Sequence, residues 1–364
     1  MATPSKIKIL QNLGNYENLN SFRIQNHDIS NIKTRLNPNL ARLDCSFNNL
    51  NTTNFSQNVS LTNLICAFNL LTELDLTYNT SLIYLDCSYN GISQLDLSNN
   101  TNLEYLNISN NQFTEIDVTQ NSELLEFNCS NNNLSSSLDL SGNSNLLKLN
   151  CSENLINELD LTQTPNLTHL YCYDNGLHTL DFTTIETLEV IECGGNNLES
   201  IDLSSHNLNL ERLDCSDSRL LTSLSLGTKP YLKYINFSDS QFLNNCSLSN
   251  CLFLEELYAA NAPVMQVLNL SSNTALKNLN VYSSDLTSLD LTGLVNLEQL
   301  NAGENGLTSI DLSDAEKLFN LNLSNNSLTS ITLPTSLTST NSEFVFNFYS
   351  NDLDTNEINS ILQT

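Results

Sequence analysis

The chain repeats itself about every 21 residues, and that period constrains its fold more than any other feature. The stretch from Leu82 to Asn102, LIYLDCSYNGISQLDLSNNTN, has apolar residues at its positions 1, 4, 6, 11, 14 and 16 and Asn at 9 and 19. The coil before it puts Leu64, Cys66, Asn69, Leu71, Leu74, Leu76 and Asn79 at the same places. Fifteen such coils begin at Leu19, Leu40, Leu61, Leu82, Leu103, Leu124, Leu146, Leu167, Leu188, Leu210, Leu232, Leu254, Leu276, Leu297 and Leu318. A chain of 364 residues would ordinarily divide into several globular domains. Stacked coils need no second core, because each one buries its apolar face against its neighbours.

Within a coil, two short alternating segments, LxxLxC and LxxLxL, are each followed by turn-forming residues. Alternation marks strands with one face inward, and 21 residues leave no room for an ordinary helix. The expected fold is a β-rich solenoid with two short parallel strands per coil, little or no helix outside the caps, and gentle curvature. The boundaries predicted are an N-terminal cap over 1–18, repeats over 19–333, and a capping strand with a short helical turn over 334–364. Ile7, Ile9 and Leu13 are expected to cover the first core layer. Phe344, Phe346 and Phe348 read as the last strand, and Asn356 as the N-cap of a turn carrying Ile358 and Leu362.

Two Asn columns have a structural reason. Asn48, Asn69, Asn90, Asn111, Asn132, Asn154, Asn175 and Asn196 stand where the chain leaves the first strand. There an amide can pair backbone groups that would otherwise be buried and unsatisfied. The second column, Asn58, Asn79, Asn100, Asn121 and Asn143, is shorter and then degrades.

Eight of the ten cysteines, Cys45, Cys66, Cys87, Cys129, Cys151, Cys172, Cys193 and Cys215, hold position 6. Ile108, Phe237, Val281 and Leu323 fill it elsewhere, which identifies a core site where a thiol acts as a small hydrophobe. Parallel Cβ vectors on successive strands suit a disulfide poorly, and a linear column cannot converge four ligands on zinc. Only the off-register Cys246 and Cys251 leave a disulfide open.

The repeat LxxLxCSxNxLTxLDLSxNT resembles that of the internalin J-like cysteine-ladder leucine-rich repeat proteins over about residues 19–333. It is also similar to repeats of Bacteroidota surface proteins, and the terminal NEINSILQT resembles the closing segment of leucine-rich repeat proteins from marine bacteria and phages. The resemblance implies a right-handed leucine-rich repeat solenoid, no catalysis and no cofactor, and a role in adhesion or recognition. It also implies a bacterial cell surface, a secreted state or a phage particle as the location. Met1 to Asn12 lacks the apolar centre of a secretory signal, and no run is long enough to span a membrane.

Charge narrows the partners. With 40 acidic against 13 basic residues, the net charge of −27 repels nucleic acid and anionic membranes. A protein or a surface glycan is the expected partner, and the chain is expected to be a monomer. The four histidines, His27, His169, His178 and His206, fall at different positions of the coil, so no catalytic or metal constellation can be assembled from them.

Positions 3, 5, 7 and 8 of the first strand are expected to point outward. Phe47, Phe68 and Tyr89 hold position 8 in successive coils, with Tyr84 and Tyr105 at position 3. His169, Tyr171 and Tyr173 form a second group, beside Glu126, Lys148, Glu192 and Arg212, and Tyr234, Tyr258 and Tyr282 continue the strip. Exposed aromatics on one strip are candidate interface anchors. Tyr and Phe also suit strands for packing reasons alone, so a rigid spacer or a decoration protein on a cell surface or phage particle is the alternative reading. The other flank carries an acidic column at position 15, Asp75, Asp96, Asp117, Asp139, Asp160, Asp181 and Asp202, resuming at Asp290 and Asp311. Calcium wants six to eight oxygens about one point, and a straight row offers fewer. These carboxylates are therefore read as solvated and hydrogen-bonded to their own turns. Between Leu210 and Leu276 the pattern loosens, with Ser218, Ser240 and Ala262 in place of the ladder Asn.

Overall fold

The computed structural model describes residues 8–10, 19–135, 137–244, 246–262, 268–338 and 344–361. Two compact units, Met1–Gly176 and Leu177–Thr364, each form a parallel β-solenoid. In the first unit the strands Ser21–Arg23, Arg42–Asp44, Asn63–Ile65, Tyr84–Asp86, Tyr105–Asn107, Glu126–Asn128, Lys148–Asn150 and His169–Tyr171 pair in parallel, one per coil. In the second, Val190–Glu192, Arg212–Asp214, Tyr234–Asn236, Glu256–Tyr258, Asn278–Asn280, Gln299–Asn301, Asn320–Asn322 and Val345–Asn347 do the same. From Ser21 to Gln299 and on to Asn320, each repeat strand starts two residues after a coil start found in the sequence. Residues in equivalent positions therefore face each other directly, Leu64 opposite Leu85 and Leu85 opposite Leu106.

The core is a set of columns. Leu61, Leu64, Cys66, Leu71 and Leu76 are all within 1% of full burial, and the next coil repeats this with Leu82, Leu85, Cys87, Ile92 and Leu97. Each fully buried aliphatic side chain contributes roughly 1.5–3 kcal/mol. The Asn columns do what their position requires. Asn69 Nδ2 donates to the carbonyls of Cys66, Ala67 and Cys45 at 3.0, 3.2 and 3.1 Å, and its Oδ1 accepts the Leu50 N–H at 3.0 Å. In the second column Asn79 Nδ2 donates to Phe55 and Asn58 carbonyls, at 3.1 and 2.9 Å. Further along this column Lys229 takes the place of an Asn. It is fully buried, and its ammonium donates to the carbonyls of Leu203 and His206 at 2.7 and 2.9 Å, and to that of Leu226.

The second segment is a paired strand in fewer places than its alternation predicts. Among the described residues it pairs at Ile29–Ile32 with Lys8–Leu10, at Ser200–Asp202 with Ser223–Ser225, whose Leu224 bridges on to Cys246, and at Ser309–Asp311 with Ser330–Thr332. In other coils the described segment is not a paired strand, and a turn follows it. Asp75 Oδ1 accepts the Thr77 N–H at 3.0 Å, and the Asn79 N–H returns to Leu76 O at 2.9 Å. Position 7, expected outward, is buried at Ser46, Ala67, Ser88 and Ser109 and half-buried at Ser130, Ser216, Ser238 and Ala260. The backbone has already begun to turn there, which carries a small side chain beneath the strand exit.

At the start of the chain Lys8–Leu10 is a strand parallel to Ile29–Ile32. Ile7 and Leu13 of the expected cap, and Leu362 at the other end, lie outside the described residues. Phe344, Phe346 and Phe348 flank and centre the strand Val345–Asn347, with neighbouring rings 6.3 Å apart. The one helix among the described residues is Thr355–Ile361. Its cap is Asp354 and not Asn356: Asp354 Oδ1 accepts the N–H groups of Asn356 and Glu357, both at 2.8 Å. A carboxylate just outside the helix can reach the second and third N–H groups, whereas Asn356 lies already within it.

Candidate partner-binding face

In the first unit the aromatics expected at position 8 form a continuous stack. The Phe47 and Phe68 centroids are 4.3 Å apart, those of Phe68 and Tyr89 are 4.0 Å apart, and both pairs are within 10° of parallel. The three rings remain 46%, 39% and 46% exposed. Their backbones are left-handed, with φ of 55°, 53° and 52°. The same position is left-handed in other coils, where it is held mostly by Asn, Asp or Gly, as at Asn110, Asp174 and Gly195, and also by Glu153, Ser283 and Glu304. The turn demands this conformation because the next residue must swing inward as the ladder Asn. Asn, Asp and Gly tolerate it; for a bulky side chain it costs roughly 1–2 kcal/mol. Phe47, Phe68 and Tyr89 are the only aromatics among the described left-handed residues.

Tyr84 and Tyr105, at position 3, form a second stack at 4.1 Å and 1°. Burial raises both phenols above their ordinary range. His169 and Tyr171 share one strand, with rings 6.3 Å apart and tilted. Tyr173 donates to Glu153 at 3.4 Å, and Lys148 and Glu126 pair at 3.0 Å.

The second unit holds Glu192, Arg212, Tyr234 and Tyr258 in one network. Arg212 Nε donates to Glu192 at 2.8 Å, and its guanidinium carbon lies 3.6 Å from the centre of the Tyr234 ring. Tyr234 donates to Asp214 at 3.2 Å, Tyr258 donates to Glu256 at 3.0 Å, and the two rings are 5.4 Å apart. Burial, then the bond to Glu256, pushes the Tyr258 phenol up to about 12. A planar cation lying on one ring and pinned by a carboxylate presents a fixed, preformed surface.

Nine of the ten thiols are buried, and Cys246 and Cys251 are not bridged to each other. Asp75, Asp139 and Asp311 sit below the usual carboxylate range because of the backbone N–H and then the hydroxyl of Thr77, Ser141 and Ser313. For Asp96, Asp181, Asp202 and Asp290 the hydroxyl of the residue two on leads and its N–H follows. At Asp75 the turn bonds outweigh the repulsion from Asp96, the next carboxylate of the column. Among the described residues no three His, Cys, Asp or Glu are grouped to hold a metal ion, and no helix is long and apolar enough to cross a membrane.

The family profile "Leucine Rich repeats (2 copies)" matches residues 80–120. No curated protein matches the sequence. Among solved structures, the chain is similar to the functional domain of InlJ from Listeria monocytogenes, which includes a cysteine ladder. Identity is 32% and the TM-score 0.71, over 85% of this chain and 64% of that one. The chain thus spans 64% of the length of that InlJ chain. A leucine-rich repeat protein of Leptospira interrogans aligns at 20% identity and a TM-score of 0.71, over 98% of this chain and 97% of that one. YopM from Yersinia enterocolitica aligns at 22% and 0.64, over 92% and 79%. The last two share the fold alone. With its 21-residue period, its parallel strand in each coil and its buried column of thiols, the chain is a leucine-rich repeat solenoid similar to the cysteine-ladder domain of InlJ.

Proposed function

We propose that this chain is a non-catalytic protein-interaction or adhesion scaffold that grips its partner on the first-strand face, with Phe47, Phe68 and Tyr89 as the anchor. The observation that carries this reading is the cost of the stack. Three successive left-handed positions hold exposed aromatics where polar residues or glycine, most often Asn or Asp, stand in the other described coils. The fold does not ask for them, so a surface requirement explains them better. Tyr84, Tyr105, His169, Tyr171 and Tyr173 extend the same face in the first unit; Glu192, Arg212, Tyr234 and Tyr258 supply it in the second. With a net charge of −27, a basic or neutral partner is favoured over a nucleic acid. A bacterial surface or a secreted state is the location this reading favours, supported by the likeness to internalin-like proteins, with a phage particle as the alternative and a monomer as the expected state.

The test compares the wild type with F47N/F68N/Y89N in two measurements. Relief of three left-handed aromatics at about 1 kcal/mol each offsets the loss of two stacked pairs at about 1 kcal/mol each. The melting midpoint of the variant is therefore expected to hold or rise. Capture of surface proteins from host-cell extracts is expected to fall by about tenfold or more, as for loss of an interface hot spot. Undiminished capture would favour the spacer role. A midpoint lowered by several degrees would make the stack a structural clamp.

A further inference from the structure

In the second unit the first-strand face changes character beyond Tyr258. The strands Asn278–Asn280, Gln299–Asn301 and Asn320–Asn322 carry an amide at both outward positions. They line a shallow hollow of about 280 Å³ with Tyr258 at one end, and no residue lining it is charged. That neutrality stands out in a chain with 40 acidic and 13 basic residues.

The amides are tied into two rows. Gln299 Nε2 donates to Asn278 Oδ1 at 3.1 Å, and Asn320 Nδ2 donates to Gln299 Oε1 at 3.3 Å. In the second row Asn322 Nδ2 donates to Asn301 Oδ1 at 2.9 Å, and Asn347 Nδ2 to Asn322 Oδ1 at 3.1 Å. A primary amide has two N–H donors and an oxygen with two lone pairs, so a row that uses one donor from each leaves a second for a ligand. The rows fix the orientation of each amide before anything binds, which lowers the cost of binding. Gly303 belongs to the same arrangement. A Cβ there would come within 2.9 Å of Asn322 Nδ2 and 3.3 Å of the Ser324 carbonyl, so the missing side chain lets Asn322 lie where it does.

We propose that this hollow is a binding site for a neutral, hydroxyl-rich chain, a polysaccharide running along the amide rows. Sugar hydroxyls both donate and accept, as the amides do, and the rows repeat at the strand spacing of ~4.8 Å, an axis suited to an extended ligand. A protein partner would want apolar anchors at the centre of its contact, and this hollow is lined by amides. An anion meets the field of the whole chain, and a cation finds the acidic column on the other flank better suited. The proposal shares the first-strand face with the function proposed above but stands on different residues, apart from Tyr258.

The test is affinity electrophoresis of the intact chain through native gels containing dextran, mannan, galactomannan or mixed-linkage β-glucan. Retardation of the wild type in at least one gel is expected. Q299E/N301D, which keeps shape and adds two charges, should bind about tenfold more weakly or worse, as should Asn278→Ser at the end of a row. Melting curves establish that both variants are folded. F47N/F68N/Y89N should be retarded like the wild type, so failure of the aromatic anchor and failure of this site read differently. No retardation in any gel overturns the proposal, as does equal retardation of Q299E/N301D and Asn278→Ser, or loss of retardation in the aromatic variant.

Discussion

Burial pushes the thiols of Cys45, Cys151 and Cys193 up to about 12. At pH 8 such a thiol is ionised in only about one molecule in ten thousand, and the thiolate is the reactive form. Cys246 is the one thiol of intermediate exposure. Titration of the folded protein with a disulfide reagent at pH 8 should consume no more than one equivalent within minutes, and ten in concentrated guanidinium. Rapid reaction of several thiols in the folded state would contradict the buried column. Lys229 shows how far a column position can dictate chemistry. Its ammonium occupies an Asn site and performs the Asn task, donating to three carbonyls, although burial lowers its pKa.

A coil is the folding element, and its length is its register. Leu106 lies between Leu85 and Phe127 on the neighbouring strands. Deleting residues 103–123 removes one coil and brings Leu85 opposite Phe127, with every other column still aligned. That variant should melt in one cooperative transition at a lower midpoint, because nearest-neighbour interfaces dominate the stability of such arrays. Deleting residues 103–113 instead sets turn residues against core positions, and the protein should lose its cooperative transition by circular dichroism. Equal behaviour of the two deletions would show that register is not what holds the stack. The second segment obeys the same logic less strictly, because its turn bonds are made within the coil.

Across the whole molecule, 40 acidic residues must coexist with a compact fold. The Asp column is tolerated because each carboxylate serves its own turn: Asp96 Oδ1 accepts the Ser98 N–H at 2.9 Å, and Asp139 Oδ1 that of Ser141 at 2.9 Å. Folding depresses these carboxyls. Their contribution is therefore fully present above the ordinary carboxylate value of about 3.9 and is lost as pH falls through the lower folded values. The urea midpoint should fall between about pH 4 and pH 2, and less steeply in an Asp96→Ala/Asp139→Ala/Asp181→Ala variant. A midpoint that rises over that range would mean that relief of like-charge repulsion outweighs the turn bonds. At neutral pH added salt should raise the midpoint, since it screens repulsion between exposed charges beyond ~10 Å.

The period, the core columns, the buried thiols and the Asn ladder were all determined by the sequence alone. They follow from one rule, that equivalent positions of successive coils meet, and a periodic sequence states that rule fifteen times over. The aromatic strip was legible as a set of residues but not as a strained stack. The left-handed turn had a sequence signal, since Asn, Asp and Gly share the column of Phe47, Phe68 and Tyr89. The amide rows likewise had one in the recurring NLN at 278–280 and 320–322. Tertiary structure alone decided which side chains touch: the parallel rings, the cation over Tyr234, the burial of position 7, Asp354 as the helix cap, and the hollow past Tyr258. Those depend on the offset between neighbouring coils and on the sign of φ at each turn, and the repeat leaves both undefined.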